Sequence, residues 1–284
     1  MATASQRTTT AHQQKGFIGL AALLLMLLLL AVCMATAAAL VHKSTWNSTR
    51  ARLDYLNATE MRIANWYVAQ AGSIDAISDA IQVSNIKSVM GGSAYGVQVA
   101  STQRLGLPCD EPNSPSCIGY HDIYVWLPPA SSADGTTLDA VAGTFNPDAK
   151  AQWIKVSGKS IEAQLMQQTT TTMATVQGQL RSFFAARAIA DADVASETNY
   201  FRDASCATTY SGSLPCVDTF TNLTSTAILI DLGLDTSNAA NAWGLPLQVS
   251  NQVDSSMTAS PFSMALRSAT PWGSSVEMAV VQPN

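Results

Sequence analysis

Between Phe17 and Val41 lie 25 consecutive uncharged residues, "FIGLAALLLMLLLLAVCMATAAALV", preceded by Lys15 and Gly16. As a helix rising about 1.5 Å per residue, the run reaches roughly 37 Å, enough to cross a hydrocarbon core of about 30 Å. Two fates compete for such a run: retention as a membrane anchor or removal as a signal. The stretches "ATA" at Ala35–Ala37 and "AAA" at Ala37–Ala39 offer the small-x-small pattern of signal peptidase, which would discard everything before about Leu40. A lipoprotein site would need a small residue before Cys33, where Val32 stands. Flanking charge does not orient the span, because Arg7 and Lys15 precede it while His42, Lys43, Arg50 and Arg52 follow.

The cysteines supply the topology. Cys33 lies inside the apolar run, whereas Cys109, Cys117, Cys206 and Cys216 form two close pairs in the polar remainder, each bracketing turn residues, "CDEPNSPSC" and "CATTYSGSLPC". Gaps of seven and nine residues are wider than zinc-ligand spacing. Two disulfides are expected, most simply Cys109 with Cys117 and Cys206 with Cys216, among the three connectivities that four cysteines allow. Disulfides belong to oxidising compartments, which puts the chain beyond about residue 42 outside the cytoplasm and the first residues inside.

Composition narrows function further. Only 12% of residues are charged and the net charge is -5, so no basic surface for nucleic acid is visible. The histidines His12, His42 and His121 are scattered, and the sequence lacks H-E-x-x-H, G-x-S-x-G, Walker and G-x-G-x-x-G motifs. His121, beside Asp122 in "GYHDIYVW", reads as a structural histidine. No catalytic residue, cofactor or metal is expected. The nearest metal candidate pairs Asp231 with Asp235 in "DLGLDTSNAANAW", an oxygen-rich turn that could suit calcium.

Beyond the apolar run the spacing stays helical. Leu53, Leu56, Ile63, Tyr67 and Ala71 recur at helical intervals, and no glycine or proline interrupts Leu20–Ala71, so the apolar helix continues into an amphipathic half that stops at Gly72. A shorter helix capped by Ser73 is expected to about Met90. Alternation then predicts strands in "AYGVQVA" and "HDIYVWL", a surface loop over 130–146, and a further strand in "AQWIKVSG". Helical spacing returns at Ile161, Leu165, Met173, Val176, Leu180, Phe183 and Phe184, weakened by Thr169–Thr172 and by Gly178. Short strands are expected in "AILIDLGL", "LPLQVSN", "FSMALRS" and "SVEMAVV". The fold class is therefore α+β: a long N-terminal helix followed by two small α+β lobes with antiparallel sheets and disulfide loops. The domains are residues 1–16 as leader, 17–41 as transmembrane helix, 42–147 as helix continuation and first lobe, and 148–284 as second lobe.

A basic leader ending in glycine, a hydrophobic helix starting with an aromatic, its amphipathic extension and a C-terminal sheet with a disulfide loop together resemble type IV pilins and pseudopilins. The front match is "KGFIGLAALLLMLLLLAV" from Lys15. Near the end, "NAWGLPLQVSN" at Asn241–Asn251 is similar to the D-x-W-G-N-P turn of that family, and "SPFSMALRSATPWGSSVEMAVVQPN" to a terminal pilin hairpin. The size and two-lobed layout resemble minor pilins of conjugative type IVb systems or tip pseudopilins. The resemblance implies cleavage by prepilin peptidase after Lys15-Gly16, methylation of the new N-terminus at Phe17, and an inner-membrane protein whose periplasmic domain enters a pilus or reaches the exterior. It implies other pilin subunits, the peptidase and the inner membrane as partners, and an adhesive role. One position departs from the family: most of its members carry a glutamate at the fifth residue after the cut, where this chain has Ala21. A buried amine without a carboxylate partner is costly, so Ala21 points to a fibre tip. The alternative is a non-pilin, signal-anchored periplasmic binding or assembly protein.

Overall fold

A computed structural model describes residues 9–91, 94–106, 117–129, 132–139, 142–190, 220–224, 229–230, 232, 234–235, 238–250 and 263–281. The chain divides into two compact units, Met1–Tyr55 and Leu56–Asn284.

The first unit is helical. Helix α1 runs Thr9–Gln70, its last turns belonging to the second unit. Leucine, alanine and methionine, all strong helix formers, dominate its apolar part. Among the described residues that part is uncovered, with Leu23 to Leu30 each more than half exposed. The hydroxyls of Thr36, Thr45 and Thr49 donate back to the carbonyls of Cys33, His42 and Thr45 at 2.9–3.0 Å, so these polar groups are satisfied inside the helix. A helix of this length and composition suits a membrane anchor or a signal sequence.

The second unit is an α+β domain with antiparallel sheets. From α1 the chain passes Gly72 and a 3-10 turn, Ile74–Ala76, into α2, Asp79–Val89. The residue before α2 is Ser78 rather than the expected Ser73, whose hydroxyl instead donates to the Gln70 carbonyl. Strands β1 (Gln98–Gly106), β2 (Ile118–Leu127) and β5 (Gln152–Ser157) form a sheet in the order β1-β2-β5. The expected start of β1 at Ala94 is instead a 3-10 turn, where Tyr95 has φ 59°. The stretch read as a loop holds a hairpin, β3 (Thr137–Asp139) and β4 (Thr144–Asn146).

One face of the first sheet carries Val99, Ile123, Val125 and Leu127 into the core. On the opposite face Phe145 of β4 stacks on Tyr124 at 4.6 Å and meets Trp153 edge-on at 5.3 Å, so the hairpin covers a small aromatic cluster. Strand β5 begins after residue 147, completes the first sheet, and leads without a break into α3, Gly158–Ala190. Helix α3 packs against β2 and then against the second sheet, ordered β6-β7-β8-β9. Those strands are Thr221–Asn222, Leu247–Ser250, Ser263–Ala269 and Ser275–Val281. Met173, Val176, Leu180 and Phe184 of α3 bury against Leu247, Val249, Met264, Leu266 and Val280, each side chain stabilising by about 1.5–3 kcal/mol on full burial. Of "AILIDLGL", Leu229 and Ile230 are helical rather than extended.

Candidate functional site

Lys15, Gly16, Phe17 and Ala21 all lie within α1, followed by the exposed apolar surface of the same helix. The disulfide candidates Cys109, Cys206 and Cys216 fall outside the described residues, so neither expected pairing is visible. Cys117 is fully buried and is not a free thiol, whereas Cys33 is free and exposed on α1. Asp231 also lies outside the described residues. Among those described, no cluster of three or more histidine, cysteine or acidic residues is arranged to hold a metal ion.

The densest polar constellation lies in the second unit, where the end of α1, the start of α3, β2 and the Asn241–Pro246 turn meet. The turn is organised by Asn241, which is 6% exposed. Its side-chain oxygen accepts from the N–H groups of Trp243 (3.0 Å) and Leu245 (2.9 Å), and its amide nitrogen donates to the Ser268 hydroxyl and the Ala269 carbonyl, both at 2.9 Å. Gly244, with φ 77°, supplies the left-handed backbone that closes the turn. The Trp243 ring meets Trp272 edge-on at 5.4 Å. Both tryptophans thus serve packing and turn geometry.

From this turn the Trp243 indole N–H donates to Glu162 Oε2 at 2.7 Å. Glu162 is 1% exposed. The Tyr67 hydroxyl of α1 donates a hydrogen bond to the same carboxylate and accepts the His121 backbone N–H at 3.0 Å. Burial, with the Glu162 charge second, pushes the Tyr67 hydroxyl up, so it stays a donor. His121 Nε2 in turn meets Asp75 Oδ1 at 2.8 Å, and Gln103 donates to the same oxygen at 2.9 Å. His121 is 2% exposed and tied to a neighbour's carboxylate, which fits a structural histidine. Asp122, its sequence neighbour, points to the other face of β2 and pairs with Lys155 at 2.8 Å.

Two glycines allow this close packing. A Cβ at Gly72 would strike the carbonyl of Trp243, and one at Gly158 would strike the His121 carbonyl and the Tyr67 hydroxyl. Thr169, in the threonine run read as a helix weakness, is fully buried, and its hydroxyl accepts the Ala242 N–H at 3.2 Å. That run therefore ties α3 to the turn.

Burial pushes the Glu162 carboxyl up to about 7, against the opposing effect of the Trp243 and Tyr67 donors. Sequence reading missed Glu162. The buried seam of α3 runs Glu162, Leu165, Thr169, Met173, Val176, Leu180, Phe184, at steady intervals of three and four, and that register could have revealed it.

No known protein family, curated protein or solved structure matches this chain. The long apolar N-terminal helix followed by an α+β domain is compatible with pilin-like architecture.

Proposed function

We propose that the chain is a minor or tip pilin-like structural subunit of a type IV pilus or a related secretion or conjugation filament. On this reading prepilin peptidase cuts after Gly16 and the new N-terminus at Phe17 is methylated. The observation that carries the reading is α1, whose exposed apolar stretch continues unbroken into the helix end that is built into an antiparallel α+β domain. The Asn241–Pro246 turn supports it, since the residues that resemble the family's turn form a tightly bonded corner between β7 and α3. Such a subunit needs no catalytic group. It is inserted in the inner membrane with the α+β domain in the periplasm, and it packs its apolar helix against other pilin subunits after extraction. An oxidising periplasm suits the two disulfides, Cys109 with Cys117 and Cys206 with Cys216, and the buried, bonded state of Cys117 supports a disulfide at that residue. The same reading keeps the two-lobed layout and an adhesive role at the exposed end.

Ala21 favours the tip, because a subunit with no layer above it has no amine to neutralise. It equally motivates the second reading, a signal-anchored periplasmic binding or assembly protein that keeps residues 1–16. Substitution Gly16→Val in the full-length chain, co-produced with a prepilin peptidase, separates the two. The pilin reading expects the wild type to lose residues 1–16 and the variant to keep them; a wild type that keeps them, or a variant that loses them, rejects it.

A further inference from the structure

Glu162 is a buried carboxylate facing two donors; His121 favours its charge but has its ring Nε2 engaged by Asp75. Among the described residues its neighbours are Tyr67 from α1, Asp75 from the 3-10 turn, His121 from β2 and the Trp243 indole from the turn before β7. Two of these give hydrogen bonds to the carboxylate, while Asp75 opposes its charge and is already engaged by His121 and Gln103. Removing a carboxylate from water without a paired cation costs more than two neutral donors return, so the neutral carboxyl suits the packed state. The elements approach one another closely here, with Gly72 against the Trp243 carbonyl and Gly158 against the His121 carbonyl and the Tyr67 hydroxyl, so hydrating an ion at the joint works against that packing.

We propose that Glu162 makes this joint a proton-operated latch: the end of α1, the start of α3 and the Asn241–Pro246 turn are held tight while its carboxyl is protonated and loosen when it ionises. The latch belongs to the second unit alone and stands whether or not the chain is a pilin. Its direction follows from linkage. The folded-state carboxyl is raised to about 7 from an ordinary value of 4.5, so the folded chain binds more protons than the unfolded one between these limits. Stability attributable to Glu162 is full below the ordinary carboxyl range and is lost as pH rises through about 7.

The test uses the full-length chain in detergent, followed by thermal unfolding and tryptophan fluorescence from about pH 5 to about pH 8.5. The wild type is expected to lose melting temperature over this range, with a parallel change in the emission of buried tryptophan. Glu162→Gln, which keeps an acceptor for the indole but cannot ionise, is expected to flatten the slope and to melt above the wild type at the alkaline end. An unchanged slope in Glu162→Gln overturns the latch and assigns the pH dependence elsewhere, His121 and Asp75 included. Should that variant fail to fold, the wild type decides: isotope-labelled glutamate in the folded chain must show one carboxyl titrating near 7, and ordinary titration of every glutamate overturns the proposal.

Discussion

Asn241 shows how much one side chain can fix. It accepts two backbone N–H groups within its own turn and donates two hydrogen bonds into the end of β8, so only an amide, with both donors and an acceptor, serves the site. Aspartate, which occupies the corresponding place in the turn that the sequence resembles, would set a carboxylate oxygen against the Ala269 carbonyl. Asn241→Asp is therefore expected to cost about 1–3 kcal/mol in chemical denaturation at neutral pH, and a cost near zero would show that the turn relaxes freely. The turn itself was legible, because tryptophan, glycine and proline punctuate it. Its partner was not. A glutamate four residues into an amphipathic helix reads as solvated surface, and only a register drawn through Glu162 instead of Ile161 puts it on the buried seam. Leu53 fails in the opposite sense: it fits helical spacing on α1 yet is 45% exposed, while Thr59 is buried between Leu56 and Ile63. In α3 the polar residues Glu162 and Thr169 fill seam positions because specific partners wait there, and composition cannot announce that.

Among the elements, α3 does the most. It packs first on β2 and then on the second sheet, so its continuity links the two halves of the α+β domain. Its threonine run looked like a weakness, but Thr170, Thr171 and Thr175 donate back to carbonyls three or four residues earlier, and Thr169 bonds the turn. Gly178 has no such duty. It is exposed, sits mid-helix, and a Cβ there would meet nothing within 4 Å. Gly178→Ala should thus raise stability by about 0.5–1 kcal/mol, seen as a higher melting temperature, and a loss would mean that the glycine is needed by a contact outside the described residues. Strands with alternating apolar residues, β2, β7, β8 and β9, were readable from pattern alone. The β3–β4 hairpin was not, since strands of three residues, each with a single apolar side chain, are too short to show a period; what holds it is Phe145 against aromatic residues from two other strands. The leucines of "AILIDLGL" suggested a strand, and Leu229, which is helical, and Leu232, in a turn, are instead buried in the core that α3 shares, which an apolar run too short to show its period cannot distinguish.

At the scale of the whole molecule the two units answer different physical demands. Among its described residues the second closes a core of its own. The first exposes a continuous apolar helix surface that water does not tolerate, and a lipid bilayer or a bundle of like helices is what such a surface fits. Length and apolarity of the span were evident from the first reading, as was its continuation into α1 beyond the span. What becomes of residues 1–16 is a matter of processing chemistry, and it decides between a pilin-like subunit and a plain anchored protein. The decisive measurement is the intact mass and terminal fragment spectrum of the mature chain recovered from membranes. The account predicts a protein that begins at Phe17 and carries one methyl group on its terminal amine. A chain that begins at Ala38 or Leu40, or one that retains its first 16 residues, would contradict it.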